Sequence, residues 1–199
     1  MYLTSCQLAI RVLVKTYYIE GHRFYHTMDH IEAMLDGYNK YFGEDPSLAE
    51  YLAILYHDIV YLPYASGNED LSAGLLSMHH TIYFPQKPDE VIDQAKEIIL
   101  ATKHDGTPVP GFAERVVDLD MMILGKSEDV YKKYVANTRK EYLMFTDEQW
   151  AVGRANVLRR FLGLPRIFIT DVMHKQFEAK ARSNIQQELE ALECLTVTA

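Results

Sequence analysis

Apolar residues recur along the chain at spacings of three and four, and no stretch sustains the alternate-residue pattern of a strand. Leu8, Val12 and Ile19 mark apolar turns of an opening helix over about residues 3 to 19. The polar segment GHRFYHT interrupts it. Thr27 can cap a second helix, because its hydroxyl accepts a first-turn N–H, and Ile31, Leu35, Tyr38 and Phe42 follow as one stripe. GEDP stops that helix and starts another, with Asp45 as the cap and Pro46 at the first helical position. Leu48, Leu52, Leu55 and Ile59 then place YLAILYHDIVY in an amphipathic helix.

LPYASGN ends that helix, and Ser66 with Glu69 predicts a capping box for a helix through His80, with Leu71, Leu75 and Met78 on its apolar side. After a loop containing Pro85 and Pro88, DEVIDQAKEIILATKH reads as helix. HDGTPVPG breaks it, and Pro110 starts the short FAERVVDLD helix. Segments of about 127–145, 147–162 and 171–193 complete the series, the second opened by a Thr146–Gln149 capping box. So many helices of unequal length predict an all-α, irregular helical bundle rather than a symmetric four-helix one. No repeat, linker or jump in composition divides the chain, so residues 1–199 are expected to form a single domain.

Composition narrows the function classes. At 48% hydrophobic and 24% charged residues the chain supports a packed core and excludes general disorder. A net charge of −8 disfavours nonspecific nucleic-acid binding and attachment to anionic membrane, while leaving room for a local basic pocket that receives phosphate. No zinc-finger pattern, basic tract or aromatic repeat supplies an extended nucleic-acid surface, and no apolar run suffices for a membrane span. Arg11 and Lys15 interrupt the opening segment, which lacks a secretory pattern, and Cys6 and Cys194 read as two reduced thiols. A cytoplasmic location is the expectation. No heptad seam fixes an oligomeric state.

The chemical signal is a combination of His26, His57, Asp58 and an aspartate of VDLD, Asp120 or Asp118. Imidazole nitrogen and carboxylate oxygen suit a divalent transition metal, and an incomplete protein shell leaves room for water and substrate. A His-Asp dipeptide alone says little, since the chain has two, His57-Asp58 and His104-Asp105. Their placement differs: the first lies in a strong helical pattern, the second where a helix meets a Gly/Pro-rich turn. Asp118, two positions before Asp120, points elsewhere on a helix and competes as cap or ligand-orienting group.

The stretches HRFYHTMDHI, ILYHDIVY, NEDLSA, ILATKHD and VVDLDMMILG, followed by KEYLMF, GRANVLRRFL and EAKARSNIQQEL, are together similar to the HD-domain superfamily of metal-dependent phosphohydrolases, in particular its small bacterial branch. The resemblance runs from about residue 22 to 190, and the ordered series is far more specific than either dipeptide. It implies a helical fold of the HD-domain type with His26 as first metal ligand, His57 and Asp58 as the central pair and Asp120 as the distal carboxylate. The ion could be Mn, Fe, Ni, Co, Zn or Mg.

Other residues carry two readings each. His30, four residues beyond His26, either joins an additional metal site with Asp118 or satisfies a local hydrogen bond. His104 and Glu69 are candidate catalytic groups for proton transfer, against roles as a helix-end side chain and a capping residue. Arg23 and Lys103 are candidate phosphate-binding residues, with structural pairing as the competing role, and Arg154 and Arg182 follow with surface solvation favoured. His79, His80, Tyr25, Tyr61 and Tyr64 read first as packing or solvated positions. The expected activity is hydrolysis of a phosphate ester, a nucleotide or small phosphomonoester, by metal-activated water. The rivals are a noncatalytic metal- or nucleotide-binding regulatory protein and a diiron oxygenase on the same scaffold.

Overall fold

The computed structural model describes the backbone of residues 5–197 and the side chains of residues 7–194; the expected helix start at residue 3 and the Cys6 thiol lie outside the described residues. Among those described, nine α-helices and one 3-10 turn form an irregular all-helical bundle without a strand. None of these helices is long and apolar enough to cross a membrane. The chain divides into two compact units, Met1–Asp120 and Met121–Ala199.

The first unit holds α1 (Ser5–Lys15), α2 (Met28–Phe42), α3 (Leu48–Tyr56), α4 (Asn68–Tyr83), α5 (Asp89–Ala101) and α6 (Glu114–Asp120). The short helix α3 is its axis and touches each of the other five. Instead of the expected amphipathic stripe, α3 buries Ala49 and every residue from Tyr51 to Tyr56, because its sequence is apolar on all sides. Each fully buried Leu or Ile there contributes roughly 1.5–3 kcal/mol. Its start also differs from expectation. Ser47 caps it, not Asp45, because Ser47 Oγ accepts from the Glu50 amide (3.3 Å) while Glu50 Oε2 accepts from the Ser47 amide (2.9 Å). This reciprocal pair satisfies two otherwise orphan donors.

Two helices present a different face from the one expected. In α1 the buried line is Ile10 and Val14, continued by Tyr18, and Leu8, Val12 and Ile19 face solvent. Leu8 and Val12 share the four-residue spacing of Ile10 and Val14, so periodicity alone does not choose between the lines. In α4, Ser72, Ala73, Leu76, His79 and His80 are buried while Leu71 and Met78 are exposed. Polar contacts set that rotation: Ser72 Oγ accepts from the Val60 amide (3.2 Å), and His79 lies between the hydroxyls of Tyr56 (2.9 Å) and Tyr17 (3.3 Å). The expected Ser66–Glu69 capping box is absent. Gly67, at φ 84°, occupies the cap position without a side-chain bond, since a left-handed backbone there favours glycine.

The second unit comprises a 3-10 turn (Met121–Gly125), α7 (Glu128–Glu141), α8 (Asp147–Gly163) and α9 (Asp171–Val197). Thr146 and Gln149 form the expected capping box on α8. The helix α9 packs against α8 and against the 3-10 turn. At that turn a β-carbon on Gly125 would lie 2.6 Å from Phe177 Cβ, so only glycine fits. Asn184 pins the same turn, its amide donating to the carbonyls of Leu124 (2.8 Å) and Lys126 (2.9 Å).

Candidate metal centre

Four side chains from three segments of the first unit converge. His30, His57, Asp58 and Asp120 offer ligand atoms that all lie within 4.8 Å of one another. Each is placed by the end of an element. Thr27 caps α2, its hydroxyl accepting from the Asp29 amide (3.3 Å), which puts His30 in the first turn. His57 is the C-cap of α3, and Asp58 follows it. Asp120 is the last residue of α6.

The His57 ring is oriented by its own helix. Nδ1 faces the Ile54 carbonyl at 3.0 Å, and a carbonyl only accepts, so Nδ1 carries a proton and Nε2 is the nitrogen turned toward the other three groups. That Nε2 lies 3.1 Å from Asp58 Oδ2, 3.2 Å from His30 Nε2 and 3.5 Å from Asp120 Oδ1. His30 Nε2 is 3.1 Å from Asp120 Oδ1 and 3.8 Å from Asp58 Oδ2, and its Nδ1 meets the Tyr25 hydroxyl at 3.2 Å. Ligand atoms bound at about 2.1 Å to one ion sit roughly 3.0–3.4 Å apart when adjacent and about 4.2 Å apart when opposite. Of the observed separations, 3.1, 3.2 and 3.1 Å fall in the adjacent range, and 3.5 and 3.8 Å lie between the adjacent and opposite values.

The donor set therefore fits a cation on its own chemistry. Two carboxylate oxygens and an imidazole lone pair are acceptors, and acceptors gathered this closely need either a proton or a metal ion between them. The protonation behaviour agrees. Burial opposes charge on His57, but the Asp58 carboxylate and the hydrogen bond to Asp120 outweigh it and hold its pKa well above the ordinary value. Burial also opposes charge on Asp58, yet the charges of His57 and then His26 bring it below the usual carboxylate range. Asp120 is likewise brought well below that range, against burial, by hydrogen bonds from His104, His30 and His57. The cluster is positioned to chelate a divalent ion, and the 16% and 17% side-chain exposure of Asp58 and Asp120 leaves it open to solvent on one side.

Around these four, the structure places the remaining sequence candidates. His26 lies beside the cluster and outside the set of four: its ring stacks on Tyr61 at 4.1 Å and approaches His30 edge-on at 6.0 Å. Asp118 is fully buried and also outside the set. His104 donates from Nε2 to Asp120 Oδ2 at 2.8 Å, leaving Oδ1 turned to the histidines. It adopts φ 49°, a left-handed backbone that costs a non-glycine residue energy and is held in place by this contact.

Arg23 is buried, with its guanidinium spent on the protein. Nε donates to Glu20 Oε2 (2.8 Å), Nη1 to the carbonyls of Asp58 (2.7 Å) and His26 (3.2 Å), and Nη2 to that of Ile59 (2.9 Å). It thereby ties the segment before α2 to the segment carrying Asp58. Asn68 and Ser72, the polar residues of NEDLSA that the sequence reading left without a role, brace the other side. Asn68 exchanges two 3.1 Å bonds with the backbone of Leu62, and Ser72 receives the Val60 amide. Lys103 pairs with Asp70 at 2.9 Å, partly exposed, and Glu69 is half-buried in the first turn of α4. In the second unit, Arg154 pairs with buried Glu188 (2.8 Å) and Arg182 with Glu178 (2.7 Å). Among known proteins, no family model matches this chain, and neither does any curated protein or solved structure.

Proposed function

We propose that the protein hydrolyses a phosphate ester, a nucleotide or small phosphomonoester, at a divalent metal held by His30, His57, Asp58 and Asp120. The observation that carries this reading is the convergence of the four donors at a partly solvent-open site. The similarity of the ordered motifs to the HD-domain superfamily supports the choice of reaction. When bound, the ion supplies an acidified water and a Lewis acid for a phosphoryl oxygen.

The chain's own residues divide the remaining work. His57 directs its lone pair inward because Ile54 holds its Nδ1 proton. His104 fixes Asp120 through one oxygen and is close enough to the site to pass a proton. Lys103, paired with Asp70 and partly exposed, is the candidate cation for a phosphate arriving from solvent once that pair opens, with Glu69 on the neighbouring first turn as a second proton-transfer candidate. Arg23 and His26 support the segment carrying Asp58, Arg23 by its hydrogen bonds and His26 by stacking on Tyr61.

The test is a phosphate-release screen of nucleotides and phosphomonoesters with Mn, Fe, Co, Ni, Zn or Mg, on wild type and Asp58→Ala. Metal-dependent turnover that Asp58→Ala abolishes without unfolding is expected. Stoichiometric metal with no turnover would select a binding or regulatory role instead, and iron-dependent oxygen consumption would select an oxygenase.

A further inference from the structure

A cavity of about 730 Å³ lies within the second unit between α7, α8 and α9. Its existence follows from how α7 is held. At one end Tyr131 donates to Glu188 of α9, which Arg154 of α8 grips at 2.8 and 3.1 Å while also reaching the Tyr134 hydroxyl (3.1 Å). At the other end Arg139 bonds the carbonyls of Tyr142 (2.9 Å) and Phe145 (3.1 Å) and Asp147 Oδ1 (2.6 Å), and lies over the Trp150 ring. These polar clamps fix the spacing of the helices. Between them, Ala136, Ala151 and Ala191, one from each helix, are too short to fill the gap, and Val135, Trp150 and Leu192 add apolar wall.

The volume falls in the roughly 300–1,000 Å³ range of small-molecule sites. The charges decide the ligand class. Every acid lining the cavity is already compensated from within: Glu128 by Lys132, Asp147 by Arg139, Glu188 by Arg154, and Glu148 by the N-terminus of α8. A charged ligand would find no unmatched partner there and would lose its hydration on entry. We propose that this cavity, lined by none of the four clustered residues, is a binding site for one neutral, predominantly apolar small molecule.

Trp150 is the chain's single tryptophan and lines the cavity, so its emission reports occupancy. The full-length protein is titrated with 1-decanol, decanoate and decyltrimethylammonium under excitation selective for tryptophan. Saturable binding of decanol at one per chain is expected, with each charged analogue weaker by roughly tenfold or more. Ala191→Phe, at the exposed rim, and Ala151→Met, on the floor, should each weaken decanol by about tenfold while thermal melting and metal content stay at wild-type values. Two variants guard against misfolding of either one. No saturable Trp150 response to decanol, equal affinity for a charged analogue, or undiminished binding in folded Ala191→Phe would each overturn the proposal.

Discussion

Arg23→Lys separates two roles for the same residue, because it keeps the positive charge and removes the shape. In the wild type, three guanidinium bonds reach the backbone carbonyls of His26, Asp58 and Ile59, and the side chain is fully buried. A lysine ammonium entering the same space cannot reproduce the planar fork and leaves about two of those carbonyls unmet. Bonds to charged donors contribute roughly 1.5–3 kcal/mol each, so the variant should lose about 3–6 kcal/mol. Against a domain stability of about 5–15 kcal/mol this is a large but survivable loss over most of that range, with a melting midpoint lowered by roughly 6–24 °C. Because the Asp58 carbonyl is one of the bonds lost, metal occupancy should fall as well. The assay is thermal and urea denaturation of metal-free protein, followed by elemental analysis after reconstitution. A wild-type midpoint together with wild-type metal content would refute the clamp, and would return Arg23 to the phosphate-binding role that its residue type suggests.

Four further outcomes follow from the same geometry. His57→Ala and Asp58→Ala should reduce metal occupancy far below wild type while His79→Ala, whose ring serves the Tyr56 and Tyr17 hydroxyls, leaves it unchanged; equal occupancy in all three folded proteins would sink the assignment. His104→Ala removes the partner of Asp120 Oδ2 and should weaken metal binding about 10- to 100-fold, read by competition with a chelator. In metal-free protein, His57, with its pKa raised, stabilises the fold fully below about pH 6.5 and loses that contribution as pH climbs through its folded value, whereas Asp58 and Asp120, with theirs lowered, contribute above about pH 4 and lose it as pH falls through theirs. Stability should therefore peak in the window between, and near neutral pH metal binding should release a proton from His57, detectable as buffer-dependent heat in calorimetry; no buffer dependence would contradict it. Gly125→Ala should destabilise the second unit by roughly 1–3 kcal/mol, because Phe177 has backbone and side-chain atoms where the methyl must go; an unchanged unfolding midpoint would show that the turn can yield.

Helix number, order and most boundaries were legible from periodicity, as were the caps at Thr27 and Thr146, where a side-chain acceptor sits just ahead of a helical run. What periodicity left open was rotation about the helix axis. In α1, Leu8 and Val12 carry the same four-residue spacing as Ile10 and Val14, and only the tertiary packing chooses between them. In α4 the buried side was hidden because it is the more polar one: Ser72 and His79 face inward to satisfy a backbone amide and two tyrosine hydroxyls, and exposed Leu71 and Met78 mimic a core stripe. A hydrophobicity pattern weighs apolar area and is blind to such pairings.

The same blindness acts at the metal centre, and for a stated reason. The four clustered residues stand at element termini: the first turn of α2, the C-cap of α3 and its successor, and the last residue of α6, with His104 just beyond α5. At a terminus, the direction of a side chain is set by the cap and not by the helical period. Whether His26 or His30 faces the cluster depends on where Thr27 starts the helix: His26 precedes the cap in the turn stacked on Tyr61, and His30 enters the first helical turn. Choosing between Asp118 and Asp120 depends on where α6 gives way to the 3-10 turn, a boundary that residue patterns place only to within a few positions. The histidine-aspartate chemistry, with His57, Asp58 and Asp120 of the cluster, was thus readable in the chain, and the place of His30 in it was readable only through the cap. Moving a cap should therefore move a ligand. Thr27→Ala withdraws the hydroxyl acceptor from the Asp29 amide, at a cost of about 1 kcal/mol, and frees the turn that orients His30. Its metal affinity should fall while the melting point drops by only a few degrees, a combination that a purely structural Thr27 would not produce; unchanged affinity in the folded variant would show that the Tyr25 contact alone suffices to aim His30.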